Sequence, residues 1–290
     1  MSAAASKPYL AVILAAGRGS RLAERTGEIP KALLPVGPRA PGSSEETSFL
    51  RRQVELLREA GVEQIVVVVG YLREQIEAAL ALWGQGVQTV VNPDADSPAS
   101  GSLDSFHRAV RAGLGVLDGR TQTLLMDADI LYHREVLARL LRAPEASSLL
   151  VCARRDRDDE QVLAWGEPER PLFLGKGLTP SLVAGAPCLG EAVGIVKLAP
   201  ADHELARETI RWMLGDPDAP AGSLRHRGFG PARRATEHEE LTQRLMLLGR
   251  MRCVIFEEAE LPFMEVDSPA EYALARESFY PRLLTMEGSR

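Results

Sequence analysis

The segment Gln64-Ile-Val-Val-Val-Val-Gly70 restricts the fold more than any other part of the chain. It is β-branched with no polar alternation, so a strand built from it must be covered on both faces. That is the condition of a strand inside a parallel sheet flanked by helices. The neighbouring segments agree. Tyr9–Leu14 reads as a buried strand, and Phe49–Ala60 has a helical spacing of apolar residues ended by Gly61. Arg73–Trp83 returns to helix, Val87–Val91 is a short strand and Leu103–Ala112 a helix. Thr121–Met126, Leu149–Ala153 and Val193–Leu198 follow as strands. This βαβα order predicts a layered α/β fold around a mostly parallel sheet.

The first strand runs straight into a small-residue loop: Leu14, Ala15, Ala16, Gly17, Arg18, Gly19, Ser20, Arg21 and Leu22. Glycine has no Cβ, so backbone N–H groups in such a loop can approach phosphate oxygens closely. Arg18, Arg21 and the Pro30-Lys31 that follows supply positive charge for a phosphoryl group. The reading is a nucleoside triphosphate site. A Walker A loop is excluded, because no Lys-Ser or Lys-Thr follows Gly19. The dinucleotide fingerprint lacks its third glycine, since Leu22 stands there, which leaves an oxidoreductase as a remote alternative.

In open α/β sheets ligands bind outside the carboxyl ends of the strands. The glycine loop follows the first strand and Asp127-Ala-Asp129 ends a later one, so both fall on one edge. Asp129 and Asp267 each end a strand-like run and are the metal candidates. Magnesium takes a few carboxylates along with phosphate oxygens and water. Strand alternation would put Asp127 beside Asp129 and Glu265 beside Asp267, as further ligands or supporting groups. Asp267-Ser-Pro-Ala-Glu271 also reads as a helix start.

The net charge of −6 argues against a general nucleic-acid binder. Cys152, Cys188 and Cys253 are odd in number and far apart, which fits buried thiols in a reducing compartment. His203-Glu204 and His238-Glu239 lack the second histidine of a zinc-protease helix. The first residues have no apolar core for a secretion signal, and no run approaches the roughly 20 residues that span a bilayer. These features predict a cytoplasmic protein with no membrane or nucleic-acid partner. Arg154–Glu160 reads as a solvated turn and Gly215–Arg234 as a loop or flap. No hexapeptide repeat is present.

Leu14-Ala-Ala-Gly-Arg-Gly-Ser-Arg-Leu22 with Pro30-Lys31-Ala-Leu-Leu-Pro-Val36 resembles the signature of the nucleotidyltransferases that make activated sugars and activated phospho-alcohols. Gly70-Tyr71, Asn92-Pro93, Gly101-Ser102-Leu103, Met126-Asp-Ala-Asp129, Gly190-Glu191-Ala-Val-Gly194 and Glu265-Val-Asp267 extend the resemblance over nearly the whole chain. Within that superfamily the chain is most similar to small cytidylyltransferases acting on phosphocholine or aminoalkylphosphonates. The resemblance implies a Rossmann-like layered fold of the nucleotide-diphospho-sugar transferase type, with a mostly parallel mixed sheet. It implies one domain over residues 1–290, with a core over about 8–153 and 190–280 and acceptor-side insertions at about 154–189 and 211–240.

The activity so implied is transfer of a nucleoside monophosphate, from CTP, to a phosphate or phosphonate, with Mg2+ and release of pyrophosphate. Lys31 would contact the α-phosphate and Arg21 the β and γ phosphates. Leu14 to Ser20 would hold the triphosphate, and Gly101 and Ser102 would read the base. Asp129 and Asp267 would hold the metal. Lys176 would meet the acceptor's phosphoryl group, and Glu191 and Glu240 would line its pocket. The aromatics expected before Glu240 are replaced by His238-Glu239, which favours a primary amine over a caged quaternary ammonium. A sugar-1-phosphate nucleotidyltransferase using UTP, GTP or dTTP, or a non-catalytic nucleotide-binding relative, is the alternative. Assembly as a homodimer is left open.

Overall fold

The computed structural model describes residues 9–84, 86–144, 146–154, 161–215 and 235–288. The strands are β1 (Tyr9–Ala15), β2 (Pro35–Pro38), β3 (Glu46–Ser48), β4 (Gln64–Val69), β5 (Val87–Val91), β6 (Gln122–Asp127), β7 (Ile130–Tyr132), β8 (Ser147–Ala153), β9 (Leu163–Glu167), β10 (Arg170–Gly175), β11 (Cys188–Leu198), β12 (Met251–Glu257) and β13 (Phe263–Glu265). The helices are α1 (Ala23–Thr26), α2 (Phe49–Glu59), α3 (Arg73–Leu82), α4 (Ser102–Arg111), α5 (Arg134–Arg142), α6 (His203–Leu214), α7 (His238–Leu247), α8 (Pro269–Leu274) and α9 (Tyr280–Gly288). Only one residue of the loop foreseen at Gly215–Arg234 precedes the gap in the described residues, and 155–160 of the charged turn also lie outside them.

The main sheet runs β5-β4-β1-β6-β11, with β8 and then β12 continuing from β11. β5, β4, β1 and β6 are mutually parallel, as are β8 and β12. β11 is antiparallel to every neighbour, which makes the sheet mixed. Its length was not foreseen: eleven residues rather than the six of Val193–Leu198. The carboxyl half, Ile195–Leu198, pairs with β6, and the amino half, Cys188–Glu191, pairs with the β9–β10 hairpin.

Successive side chains of the central strands enter two separate cores, as the unbroken apolar runs require. Ile13, Ile65 and Val67 pack under Val54 and Leu57 of α2, Ile76 of α3 and Leu140 of α5. Val12, Val66 and Val68 pack on the other face under Phe106 of α4, Ile210 of α6 and Leu245 of α7. A third cluster sets the C-terminal helices against the base of the glycine loop. There Leu22, Leu34 and Val36 meet Val266, Tyr272 and Tyr280. The buried Arg52–Glu287 pair, at 2.8 Å, fastens α9 to α2. Together these contacts carry Val266, and Asp267 beside it, back to the first strand.

Candidate active site

A cavity of about 470 Å³ opens at the carboxyl ends of β1 and β6. Leu14 pairs with Asp127 across those strands, so the glycine loop and the acidic turn start side by side. Leu14, Ala15, Ala16, Gly17, Gly19, Ser20 and Arg21 line the cavity. The loop is held from several sides. Leu22 N–H and Thr26 Oγ1 both donate to Gly19 O, at 2.9 and 3.1 Å, and Tyr71 N–H donates to Ala16 O at 3.0 Å. Gly19 is left-handed at φ +64°, and a Cβ there would lie 3.1 Å from Lys31 Cβ. Glycine therefore lets the loop sit directly on the Lys31 stem. Arg18, by contrast, lies outside the lining, its guanidinium 5.2 Å from the Tyr71 ring centre.

Lys31 is the charge centre of the site. Its Nζ is 2.6 Å from Asp129 Oδ2 and 2.8 Å from Asp267 Oδ1, and Arg21 Nη1 takes Asp267 Oδ2 at 2.9 Å. Burial alone would pull the Lys31 pKa down, but the two carboxylates outweigh it and hold the ammonium above the ordinary lysine range. For Asp267 burial pushes up, and Lys31 and Arg21 win in the other direction. Ser268 caps α8, accepting from Glu271 N–H at 3.3 Å, which leaves the Asp267 carboxylate to the cavity.

Asp129, Glu265 and Asp267 each offer a carboxylate oxygen within 4.8 Å of the others. Glu265 opens onto the cavity but is crowded by protein. That crowding, then the charges of Asp129, Asp267 and Asp127, lift its carboxyl well above the usual range. Three hard oxygen donors fit a divalent cation such as magnesium.

Asp127 does not join this group. β6 ends at Asp127 and the chain bends before Asp129, whose carbonyl accepts from Val266 N–H at 3.2 Å. The alternation that was to place the two aspartates side by side stops there. Asp127 instead meets the buried His238, whose Nε2 is 3.0 and 3.1 Å from the two carboxylate oxygens. Burial lowers the imidazole pKa, but Asp127 and then Glu239 raise it more, to about 10. Burial likewise pushes Asp127 up, with His238 pulling it back. Gly194, at φ +67°, makes room for this carboxylate: a Cβ there would lie 2.3 Å from Asp127 Oδ2. The sequence showed His238 as a departure from an aromatic pattern and as half of an incomplete zinc-protease pair, and neither reading foresaw its bond to Asp127.

Gly101 caps α4, and Ser102 is its first helical residue. Both line the cavity. Ser102 N–H donates to Glu237 Oε2 and His238 N–H donates to Ser102 Oγ, each at 2.8 Å. The starts of α4 and α7 are thus interlocked. The serine hydroxyl still has its proton to donate to a ligand.

Lys176, just past β10, also lines the cavity. Gln243 of α7 bonds the backbone of both Leu172 and Leu174, which ties β10 to α7. Glu191 and Glu240 are not in the lining. Glu191 is buried in an ion pair with Arg154, at 3.0 Å, and accepts from Gln161. The Glu240 carboxylate accepts from Glu237 N–H in a capping box at the head of its own helix. The acids on the wall at this point are Glu237 and Glu239. One helical step is about 100°, so a register error of one residue exchanges a cavity acid for a capping acid.

Part of the chain is similar to several characterised proteins. It is 37% identical over 144 residues to the CMP-5'-(3-aminopropyl)phosphonate synthase of Streptomyces rubellomurinus, covering 49% of this chain and 20% of that one. It is 40% identical over 67 residues to the choline-phosphate cytidylyltransferase of Streptococcus pneumoniae, covering 23% and 26%. The matched stretches are thus about a fifth and a quarter of those relatives' own lengths. In fold, the inositol-1-phosphate CTP transferase of T. maritima superposes with a TM-score of 0.68 over 97% of this chain and 96% of its own, at 19% identity. The phosphocholine cytidylyltransferase structure from Streptococcus pneumoniae gives 0.62 over 94% and 99%, also at 19%. No helix among the described residues is long and apolar enough to cross a membrane. The model of the MobA-like NTP transferase domain matches residues 11–223, which include the glycine loop, Lys31 and Asp129, and the chain belongs to that nucleotidyltransferase family.

Proposed function

We propose that the protein transfers a cytidylyl group from CTP to the phosphate or phosphonate oxygen of a small amine-bearing acceptor. The observation that carries this reading is the single cavity in which the glycine loop, the Lys31–Asp129–Asp267 cluster and Lys176 all face one space. The acceptor oxygen attacks the α-phosphorus. The bond to the oxygen bridging to the β-phosphorus breaks, and pyrophosphate leaves with the electron pair.

Both reactants are anions, so catalysis is mostly placement and charge neutralisation. The loop from Leu14 to Ser20 binds the triphosphate, and Arg21 reaches its β and γ phosphates. The Lys31 ammonium answers the negative charge that grows on the α-phosphate oxygens. Asp129 and Asp267, with Glu265 beside them, would hold Mg2+, which neutralises phosphate oxygens when bound. Gly101 and the Ser102 hydroxyl face the base.

Lys176 receives the acceptor's phosphoryl or phosphonyl oxygens. The wall at Glu237 and Glu239 is acidic and suits an ammonium group at the other end of the same molecule. A neutral sugar phosphate would bring no ammonium to those two carboxylates. The aminopropylphosphonate and phosphocholine relatives support an acceptor of this charge pattern. The test is a pyrophosphate-release screen crossing four nucleoside triphosphates with phosphocholine, 2-aminoethylphosphonate and hexose 1-phosphates. Turnover confined to CTP and a zwitterion is expected. Turnover confined to a hexose 1-phosphate would replace this reading with the sugar one.

A further inference from the structure

Lys31 occupies the place between the two carboxylates that a divalent cation has to enter. Its ammonium is hydrogen-bonded to one oxygen of Asp129 and one of Asp267. The second oxygen of Asp267 is taken by Arg21. Both aspartates are about a quarter exposed and Lys31 only a tenth, so water does little to screen the three charges. Two carboxylates this close need a cation between them. The chain supplies one from its own sequence.

The geometry points to a second role for Lys31: it is the resident counter-cation of Asp129 and Asp267, it competes with a divalent metal for them, and the triphosphate removes that competition by drawing the ammonium onto its phosphates. This rests on reading the cavity as a triphosphate and metal site. A metal arriving alone would stand beside an ammonium that has nowhere better to go, and like charges at such a distance repel strongly. The Lys31 stem runs beside Gly19, where an added Cβ would lie 3.1 Å from Lys31 Cβ and 3.2 Å from Lys31 Cδ. A head that swings from this stem stays close to the glycine loop. A triphosphate in that loop offers new anionic oxygens within the swing. The carboxylates are then released to the metal, and the two ligands favour each other's binding. The same side chain thus guards the acidic cluster when the site is empty and acts on the α-phosphate when it is full.

The experiment titrates Mn2+ alone, without nucleotide, into the full chain, with bound ion counted by electron paramagnetic resonance. Lys31→Met keeps the stem and removes the charge. It should bind Mn2+ at least tenfold more tightly than the wild type, and adding Asp129→Asn should abolish the gain. Equal or weaker binding by Lys31→Met would overturn the inference. Should that variant fail to fold, Lys31→Gln makes the same comparison. A second readout uses the wild type, with the lysine 13Cε resonance of Lys31 followed through a magnesium titration. The signal should hold its position at magnesium concentrations that saturate the Lys31→Gln site, and an early shift with magnesium alone would equally overturn the inference. These titrations need no acceptor and no turnover, so they succeed or fail separately from the pyrophosphate-release screen.

Discussion

His238 Nε2 lies within 3.1 Å of both carboxylate oxygens of Asp127, although 111 residues separate them in sequence. The pair joins the head of α7 to the end of β6, one turn of chain from Asp129. An imidazole whose folded pKa is raised from 6.5 to about 10 gives stability that is complete below about pH 6.5 and is lost as the pH climbs through 10. His238→Gln keeps a donor but carries no charge. Urea unfolding at pH 6, 8 and 10 should find wild type ahead of His238→Gln at pH 6 and the gap closing by pH 10. His238→Leu leaves Asp127 unpaired and should cost about 3 kcal/mol at pH 7.

Gly194 and Asp127 are linked by space rather than by a bond. Gly194→Ala needs a left-handed alanine and places a Cβ 2.3 Å from Asp127 Oδ2. Backbone strain alone is about 1–3 kcal/mol. The displaced carboxylate also loses His238. Urea unfolding should report a loss of at least the strain cost, and His238 imidazole NMR shifts should move toward those of an unpaired ring.

Lys31→Ala should lower the turnover number by about a hundredfold or more, a larger factor than any change in the CTP Michaelis constant, because most of the charge it answers grows in the transition state. Asp129→Ala and Asp267→Ala should abolish magnesium-dependent pyrophosphate release with far-ultraviolet circular dichroism unchanged. Steady-state kinetics at saturating magnesium separates these outcomes. A Lys31→Ala effect confined to the Michaelis constant would make Lys31 a ground-state binding residue.

Glu239 and Glu240 are adjacent in sequence and differ in placement, the first on the cavity wall and the second in the cap of α7. Glu239→Gln should raise the Michaelis constant for an amine-bearing acceptor severalfold and leave that for CTP unchanged. Glu240→Ala removes the acceptor for Glu237 N–H and should cost on the order of 1 kcal/mol of stability through the lost cap, with little effect on either substrate. Paired kinetics and melting curves on the two variants check this. The reverse pattern would restore Glu240 as the acceptor residue.

The parts of the site that were legible in sequence are those written by local constraint. The glycine loop must follow a strand, Pro30-Lys31 follows within a few residues, and Asp129 and Asp267 close apolar runs whose burial is plain from composition. The fold was legible for the same reason, since Gln64–Val69 can be satisfied only between two helical layers. What was not legible depends on a partner far along the chain. Nothing near Glu191 announces that Arg154 will neutralise it. Nothing near His238 announces Asp127. The β9–β10 hairpin was missed because its strands are short and interrupted by glycine and proline. The resemblance alone pointed to Glu240, and an acidic helix start gives no rotational reference until Leu241 and Leu245 are seen in the core, which leaves Glu239 on the cavity side.

β11 has an evolutionary consequence. One covalent strand presents its carboxyl half to β6 and its amino half to the β9–β10 hairpin, with Gly194 at the irregular point between them. Change in the two halves has different structural consequences. Drift in the carboxyl half disturbs the register beside Asp127 and the chemistry that every substrate shares. The hairpin carrying Lys176 pairs in the sheet with the other half and is tied to α7 through Gln243, and its loops can lengthen or change side chains with that register intact. If Lys176 meets the acceptor as proposed, selection for a new acceptor can act on one end of a strand while the other end stays fixed, and a lineage can change what it activates without rebuilding how it activates it.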